Sequence, residues 1–181
     1  MKKNMYFLAL LFFALFVVEA PAQDDKASRP SPPAQATGSV DGIDITIDYS
    51  QPSVKGRKIF GDLEPYGKVW RTGANEATTF EVSGDVTVEG ETLPAGKYAL
   101  FTIPNEDQWT VIFNKTADQW GAFEYDEGED ALRVEVTPED SDLTEKLTFD
   151  ISDDGQVSMM WAETKVSFGV SAAGQARENN E

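Results

Sequence analysis

From Ile43 to Val170 the chain alternates apolar and polar residues with a period of two, in runs too short and too regular for helices. Ile43, Ile45, Ile47 and Tyr49 are separated by Asp44, Thr46 and Asp48, the pattern of a half-buried strand with an acidic outer face. The same alternation recurs in Thr78–Val82, Val86–Val88, Tyr98–Ile103, Trp109–Phe113, Leu132–Val136, Leu147–Ile151, Val157–Trp161 and Val166–Val170. Between these runs stand turn-forming residues: Ser83-Gly84-Asp85, Glu89-Gly90-Glu91, Pro94-Ala95-Gly96, Pro104-Asn105-Glu106-Asp107 and Asp153-Asp154-Gly155. About nine short strands separated by tight turns predict an all-β domain, a single antiparallel β-sandwich or jelly-roll-like fold. Short helices of one or two turns are compatible with Thr116–Phe123 and Pro138–Leu143. The inward faces are expected to bury Ile45, Ile47, Phe80, Phe101, Val111, Phe113, Val134, Phe149 and Phe168.

The flanks differ from this unit. Lys2 and Lys3 precede 14 apolar residues from Met5 to Val18, followed by Ala20-Pro21-Ala22, the small-x-small pattern of a signal-peptidase site. A bilayer-spanning helix needs about 20 residues, so a cleaved signal peptide over residues 1–22 is favoured over a retained anchor. Export to the periplasm or medium follows, with no membrane span after cleavage. Residues 23–39 contain Pro30, Pro32 and Pro33 and no aliphatic or aromatic residue larger than alanine, which predicts a disordered Pro-rich leader. Residues 171–181 read as a polar tail, leaving one domain over residues 40–170. Oligomeric state is not written in this pattern.

Composition removes several chemistries. The chain has no His and no Cys, so a Ser-His-Asp triad, a thiolate nucleophile, an imidazole or thiolate zinc site and a disulfide are all excluded. No metal or cofactor is expected. With 15 Lys+Arg against 32 Asp+Glu, a net charge of −17, the surface repels phosphate backbones, and nucleic acid is not expected as a partner. The acid is concentrated: residues 106–154 hold 16 acidic and three basic residues. Its densest run, Asp126-Glu127-Gly128-Glu129-Asp130, lacks the ligand spacing of a calcium loop and reads as a solvated turn.

Residues 51–75 reverse this balance, with Lys55, Arg57, Lys58, Lys68 and Arg71 against Asp62 and Glu64. Glycine and proline make the segment irregular, and long ordered loops on a β scaffold are common places for binding sites. Arginine offers a planar fork to carboxylates or phosphates, asparagine a paired donor and acceptor, and Trp or Tyr an apolar wall. The candidate ligand-binding residues are therefore Lys55, Arg57, Tyr66, Trp70, Arg71, Asn75, Glu76, Asn114 and Trp120. The plainer alternative is that Arg71 pairs with Glu76 and only stitches the loop to the sheet.

These residues also carry a resemblance. Lys55-Gly56-Arg57, Ile59-Phe60-Gly61 and the run Pro65-Tyr66-Gly67-Lys68-Val69-Trp70-Arg71-Thr72-Gly73-Ala74-Asn75-Glu76-Ala77-Thr78 closely resemble the bacterial secreted family called domain of unknown function 2911. So do Leu93-Pro94-Ala95-Gly96-Lys97-Tyr98-Ala99-Leu100-Phe101, Trp109–Lys115 and Trp120-Gly121. The resemblance implies a secreted, β-rich domain and no particular activity.

Three functions follow from the residues. In the first, Lys55, Arg57 and Arg71 hold a small anionic group while Trp70, Tyr66 or Trp120 stacks on an apolar or sugar face. In the second, a hydrolase or lyase uses Glu76 as acid or base, Arg71 and Lys55 against developing charge, and Asn75 or Asn114 to orient the substrate. A cation beside Glu76 would lower its pKa and weaken that role, which favours binding. In the third, the domain is an accessory of a larger envelope assembly. The discriminating feature is whether the candidate side chains converge on one concave site.

Overall fold

A computed structural model describes residues 26–174. The expected signal peptide lies outside the described residues, as does most of the polar tail. Ten strands form the domain: β1 (Pro33–Val40), β2 (Ile43–Ser50), β3 (Thr78–Val82), β4 (Val86–Val88), β5 (Glu91–Leu93), β6 (Gly96–Ile103), β7 (Trp109–Asn114), β8 (Asp130–Val136), β9 (Glu139–Ile151) and β10 (Gln156–Ala172). Their pairing is antiparallel throughout, in a six-stranded sheet β1-β2-β3-β6-β7-β8 and a four-stranded sheet β5-β4-β10-β9. The fold is the expected all-β sandwich.

Several elements differ from expectation. Residues 33–40 are a strand and not a disordered leader, paired residue for residue with β2 from Pro33↔Ser50 to Val40↔Ile43. The small residues that removed any hydrophobic signal are there for close packing. A Cβ at Gly38 would collide with the side chain of Ile151 on β9, so bulk on this face is sterically excluded. Pairing with β2 satisfies the backbone groups that the side chains cannot compensate. Strand β5 occupies part of a stretch read only as a turn.

The expected strands at Val157–Trp161 and Val166–Val170 are one strand, β10, with register shifts on either side of Ala162, where φ is 55°. A bulge keeps a strand continuous while interrupting its alternation, which is why the sequence reads as two. Neither short helix forms: residues 116–123 are irregular chain with a bridge at Trp120 and a turn after it, and Glu139–Leu143 belong to β9. Strand β10 runs on to Ala172, past the expected end of the domain.

All nine expected core residues are buried. Eight of them lie in the cluster between the sheets, whereas Phe101 belongs to a smaller cluster with Ala77, Ala99 and Ile112. In β6, Tyr98 and Leu100 point into the sandwich, so Phe101 points to the other face. Ala122 and Tyr125 cover it there, the Tyr125 ring standing edge-on 5.1 Å from that of Phe101.

The irregular segment between β2 and β3 ties together both sheets. Val54 donates its amide to Glu145 O (2.8 Å) and Leu147 donates to Pro52 O (3.0 Å) on the β9 side. Trp70 and Thr102 exchange amide bonds of 2.8 and 2.9 Å on the β6 side. The segment contributes Val54, Ile59, Phe60 and Trp70 to the main core. Trp70 stacks on Trp161 at 5.6 Å, and Phe60 meets Trp70, Trp109 and Trp161 edge-on at 5.8, 4.7 and 5.9 Å. This aromatic block holds the basic segment in one conformation.

Candidate functional site

The nine candidate residues do not converge on one cavity. Trp70 is a core residue, 3% exposed, and its indole Nε1 donates to Gly73 O at 3.1 Å. Asn75 is a staple: its Nδ2 donates to Ser31 O (3.0 Å) and Ser50 Oγ (3.2 Å), tying the chain ahead of β1 to β2. Asn114 is another, with Nδ2 donating to Asp126 O and Asp130 Oδ1 and its Oδ1 accepting from Thr116 N and Gln119 Nε2. That network extends through Tyr125, which donates to Asp130 Oδ2 at 2.7 Å and accepts from Arg133. Burial and the Asp130 hydrogen bond push the Tyr125 hydroxyl up to about 12, against the pull of Arg133. The acidic run is thus a capped turn, with Asp126 accepting from the Gly128 amide.

The alternative Arg71–Glu76 pair does not form. Glu76 is bound instead by Lys26 (2.9 Å) and by a two-pronged contact with Arg29 (3.1 and 3.0 Å), both from the chain ahead of β1. Burial raises its pKa, but hydrogen bonds from Lys26, its own backbone and Arg29 outweigh that and hold it at about 2. A carboxylate so firmly ionised and bound is a weak acid or base at neutral pH, which disfavours the Glu76–Arg71 catalytic arrangement. The guanidinium of Arg29 also lies 5.9 Å from the centre of the Trp120 ring, and Trp120 is 56% exposed.

Arg71 is placed differently. The backbone around it is fixed: Trp70 pairs with Thr102, Thr78 N donates to Arg71 O at 3.2 Å, and Thr78 Oγ1 donates to Thr72 O at 2.8 Å. Gly73 permits this closeness, since a Cβ there would lie 2.8 Å from Thr78 Oγ1. The half-buried guanidinium has a fully buried Nε without a hydrogen-bond partner. It interacts through space with Glu64, a half-buried residue that none of the sequence patterns singled out. Burial pushes the Glu64 carboxyl up to about 7, while Arg71 and, less strongly, Arg57 pull it down. The turn that presents Glu64 is pinned by Gly61 N donating to Glu64 O and Glu64 N donating to Ile59 O. Sequence offered one usable signal here, a lone Glu inside a basic, aromatic-rich segment.

Arg57 spends part of its fork on its own loop, Nε donating to Val54 O at 3.0 Å and Nη2 to Ser53 O. Lys55 is exposed, and its backbone amide donates to Glu145 Oε1 at 3.0 Å. Tyr66 faces a separate depression of about 150 Å³ that it lines with Phe60, Asn105, Trp109 and Asp140. The candidates therefore divide into the pair Arg57 and Arg71 around Glu64, the clipped Glu76 with Trp120 nearby, the core or stapling residues Trp70, Asn75 and Asn114, and Lys55 and Tyr66, which stand apart from these groups.

Residues 31–170 match the family model described as a protein of unknown function, DUF2911. The chain belongs to that family. The match spans β1 through most of β10, so this DUF2911 domain includes the strand that the hydrophobic pattern had left out. Neither the curated proteins nor the solved structures give a match. The part of the resemblance from Lys55 to Thr78 supplies Phe60 and Trp70 to the aromatic block and holds both Glu64 and Arg71.

Proposed function

We propose that this domain binds a small anionic molecule at Arg71, with Arg57 and Glu64 completing the site. The observation that carries this reading is the half-buried guanidinium of Arg71, held on a fixed backbone with its Nε buried and unpartnered. Native structures rarely leave such a donor unpaired, because desolvation is then uncompensated. A carboxylate or phosphate meets the part of the guanidinium that stays exposed, and its oxygens suit that planar fork. Protonated Glu64 donates a further hydrogen bond to the same anion; ionised Glu64 repels it.

The position of Glu64 near neutrality favours a second reading, in which the bound molecule also receives a proton from Glu64 or loses one to it. Turnover of the bound anion, abolished in Glu64→Gln with binding retained, distinguishes catalysis from binding alone.

Export after cleavage following Ala22 remains part of the proposed function, since the pattern of residues 2–22 supports it. Intact-mass measurement on exported protein is expected to give a chain starting at Gln23; a retained leader contradicts it.

The test of the binding site is a thermal-shift series with acetate, succinate, citrate and inorganic phosphate. At least one is expected to raise the melting temperature, because a ligand specific to the folded state stabilises it. The shift is expected to fall sharply in Arg71→Lys, whose ammonium retains the charge and loses the fork. Equal shifts in wild type and Arg71→Lys overturn the reading.

A further inference from the structure

The outer face of the six-stranded sheet carries a groove of about 180 Å³ that no part of the anion-binding reading uses. Its lining includes Arg29, Asp48, Glu76, Thr79 and Lys97, with Ala34 and Ala77 as apolar surface. Thr79, on β3, is only 8% exposed, and its Oγ1 is buried with no hydrogen-bond partner. Lys97, on β6, brings its Nζ to 3.8 Å from Asp48 and 3.9 Å from Glu81, close enough to attract and too far to hydrogen-bond. Both residues line the same groove: Thr79 Oγ1 has no partner, and Lys97 makes only these two long ion pairs.

The charges around these two groups are mixed in sign. Asp48 Oδ1 accepts from Gln35 Nε2 at 2.7 Å, while its Oδ2 is the atom turned toward Lys97. Glu76 is engaged by Lys26 and Arg29 at the rim. An anion in the groove meets the carboxylates of Asp48 and Glu76, and a cation meets Lys26, Arg29 and Lys97. Hydroxyl groups, which both donate and accept, satisfy Thr79, Lys97 and Asp48 together. Beside the rim stands Trp120, which forms an isolated bridge with Glu76 and leaves more than half of its surface exposed. A flat indole beside a polar groove suits a ring with one apolar C–H face and hydroxyls at its edge.

We propose that this groove is a second binding site, for a neutral pyranose sugar, with Thr79, Lys97 and Asp48 taking its hydroxyls and Trp120 its apolar face. The volume admits one sugar ring, and Trp120, bridged to the lining residue Glu76, is placed to meet that ring at the rim. This site is independent of Arg71 and stands or falls separately from the anion reading.

The experiment is a titration of the full domain with glucose, galactose, xylose and N-acetylglucosamine, read by tryptophan fluorescence. Trp70, Trp109 and Trp161 are buried, so the response to a ligand in the groove comes chiefly from Trp120. The expected result is saturable binding of at least one sugar, weakened about tenfold in Thr79→Val, restored in Thr79→Ser, and weakened similarly in Trp120→Ala when followed by calorimetry. Thr79→Val removes only the unpartnered hydroxyl and Trp120 is exposed, so both variants are expected to keep the wild-type circular dichroism and melting. Inorganic phosphate and glycine are the anionic and zwitterionic controls. No response to any sugar, equal affinity in all variants, or a Thr79-dependent response to phosphate or glycine alone each overturn the proposal.

Discussion

Glu64 and Glu76 are both half-buried carboxylates with two basic side chains nearby, and their pKa values are driven in opposite directions, to about 7 and about 2. The difference lies in contact. Glu76 receives hydrogen bonds from Lys26 and Arg29 at 2.9 to 3.1 Å, and these offset its desolvation. Glu64 feels Arg71 and Arg57 only through space, so the loss of water dominates. Charges that touch make a clip; charges held apart leave room and hydrogen-bonding capacity for a third group. The first region is structural and the second is where a ligand is expected.

The largest effect is expected from breaking the aromatic block that anchors the segment carrying Glu64 and Arg71. Trp70→Ala should cost about 3–5 kcal/mol, because it empties a buried site stacked on Trp161 and cuts the bond to Gly73. Urea melts give that cost. A carboxyl titration on whatever folded fraction remains should show Glu64 falling toward 4.5 as water enters, with Glu76 unchanged. Wild-type stability would mean that the aromatic block does not support the segment.

Next is the charge of Glu64. Its folded pKa is raised above the unfolded value of 4.5, so the folded state holds the proton more tightly and stability falls as pH rises from 4.5 through about 7. Glu64→Gln is therefore expected to be more stable than wild type at pH 8, by roughly 1–2 kcal/mol after solvent screening, and equal to it below pH 4.5. A Glu64→Gln domain less stable than wild type at pH 8 would mean that Glu64 makes a favourable contact.

For Glu76 the sign reverses. Its folded pKa is depressed, so its contribution is fully present above 4.5 and is lost as pH falls toward 2. Arg29→Ala and Glu76→Gln are each expected to cost about 0.5–1 kcal/mol at pH 7, since the pair is partly exposed. The loss should vanish near pH 2 in thermal melts. A pH-independent difference would assign the effect to packing of the chain ahead of β1.

The sandwich was legible because alternation with period two survives in most strands. β1 was hidden because Ala34, Ala36 and Gly38 carry no hydrophobic signal, and β10 read as two strands because its bulge at Ala162 breaks the period. The basic segment was recognised as special from its charge and glycines. Its division was not legible, because Arg71 and Glu76 are close in sequence, while the partners of Glu76, Lys26 and Arg29, lie across the fold boundary the pattern implied. Glu64 is not legible in the sequence, where a single acid among basic residues looks like ordinary charge balancing; its burial and its interaction with Arg71 give it meaning.

The most direct test is a pH titration of the Glu64 and Glu76 side-chain carboxyls by ¹³C NMR, with and without a saturating anion from the thermal-shift series. Glu64 is expected to titrate near 7 and to move higher when the anion binds, because the anion favours the protonated carboxyl, while Glu76 stays near 2 in both conditions. Two carboxyls titrating together near 4.5, or a Glu64 that ignores the anion, would contradict the separation of clip from site.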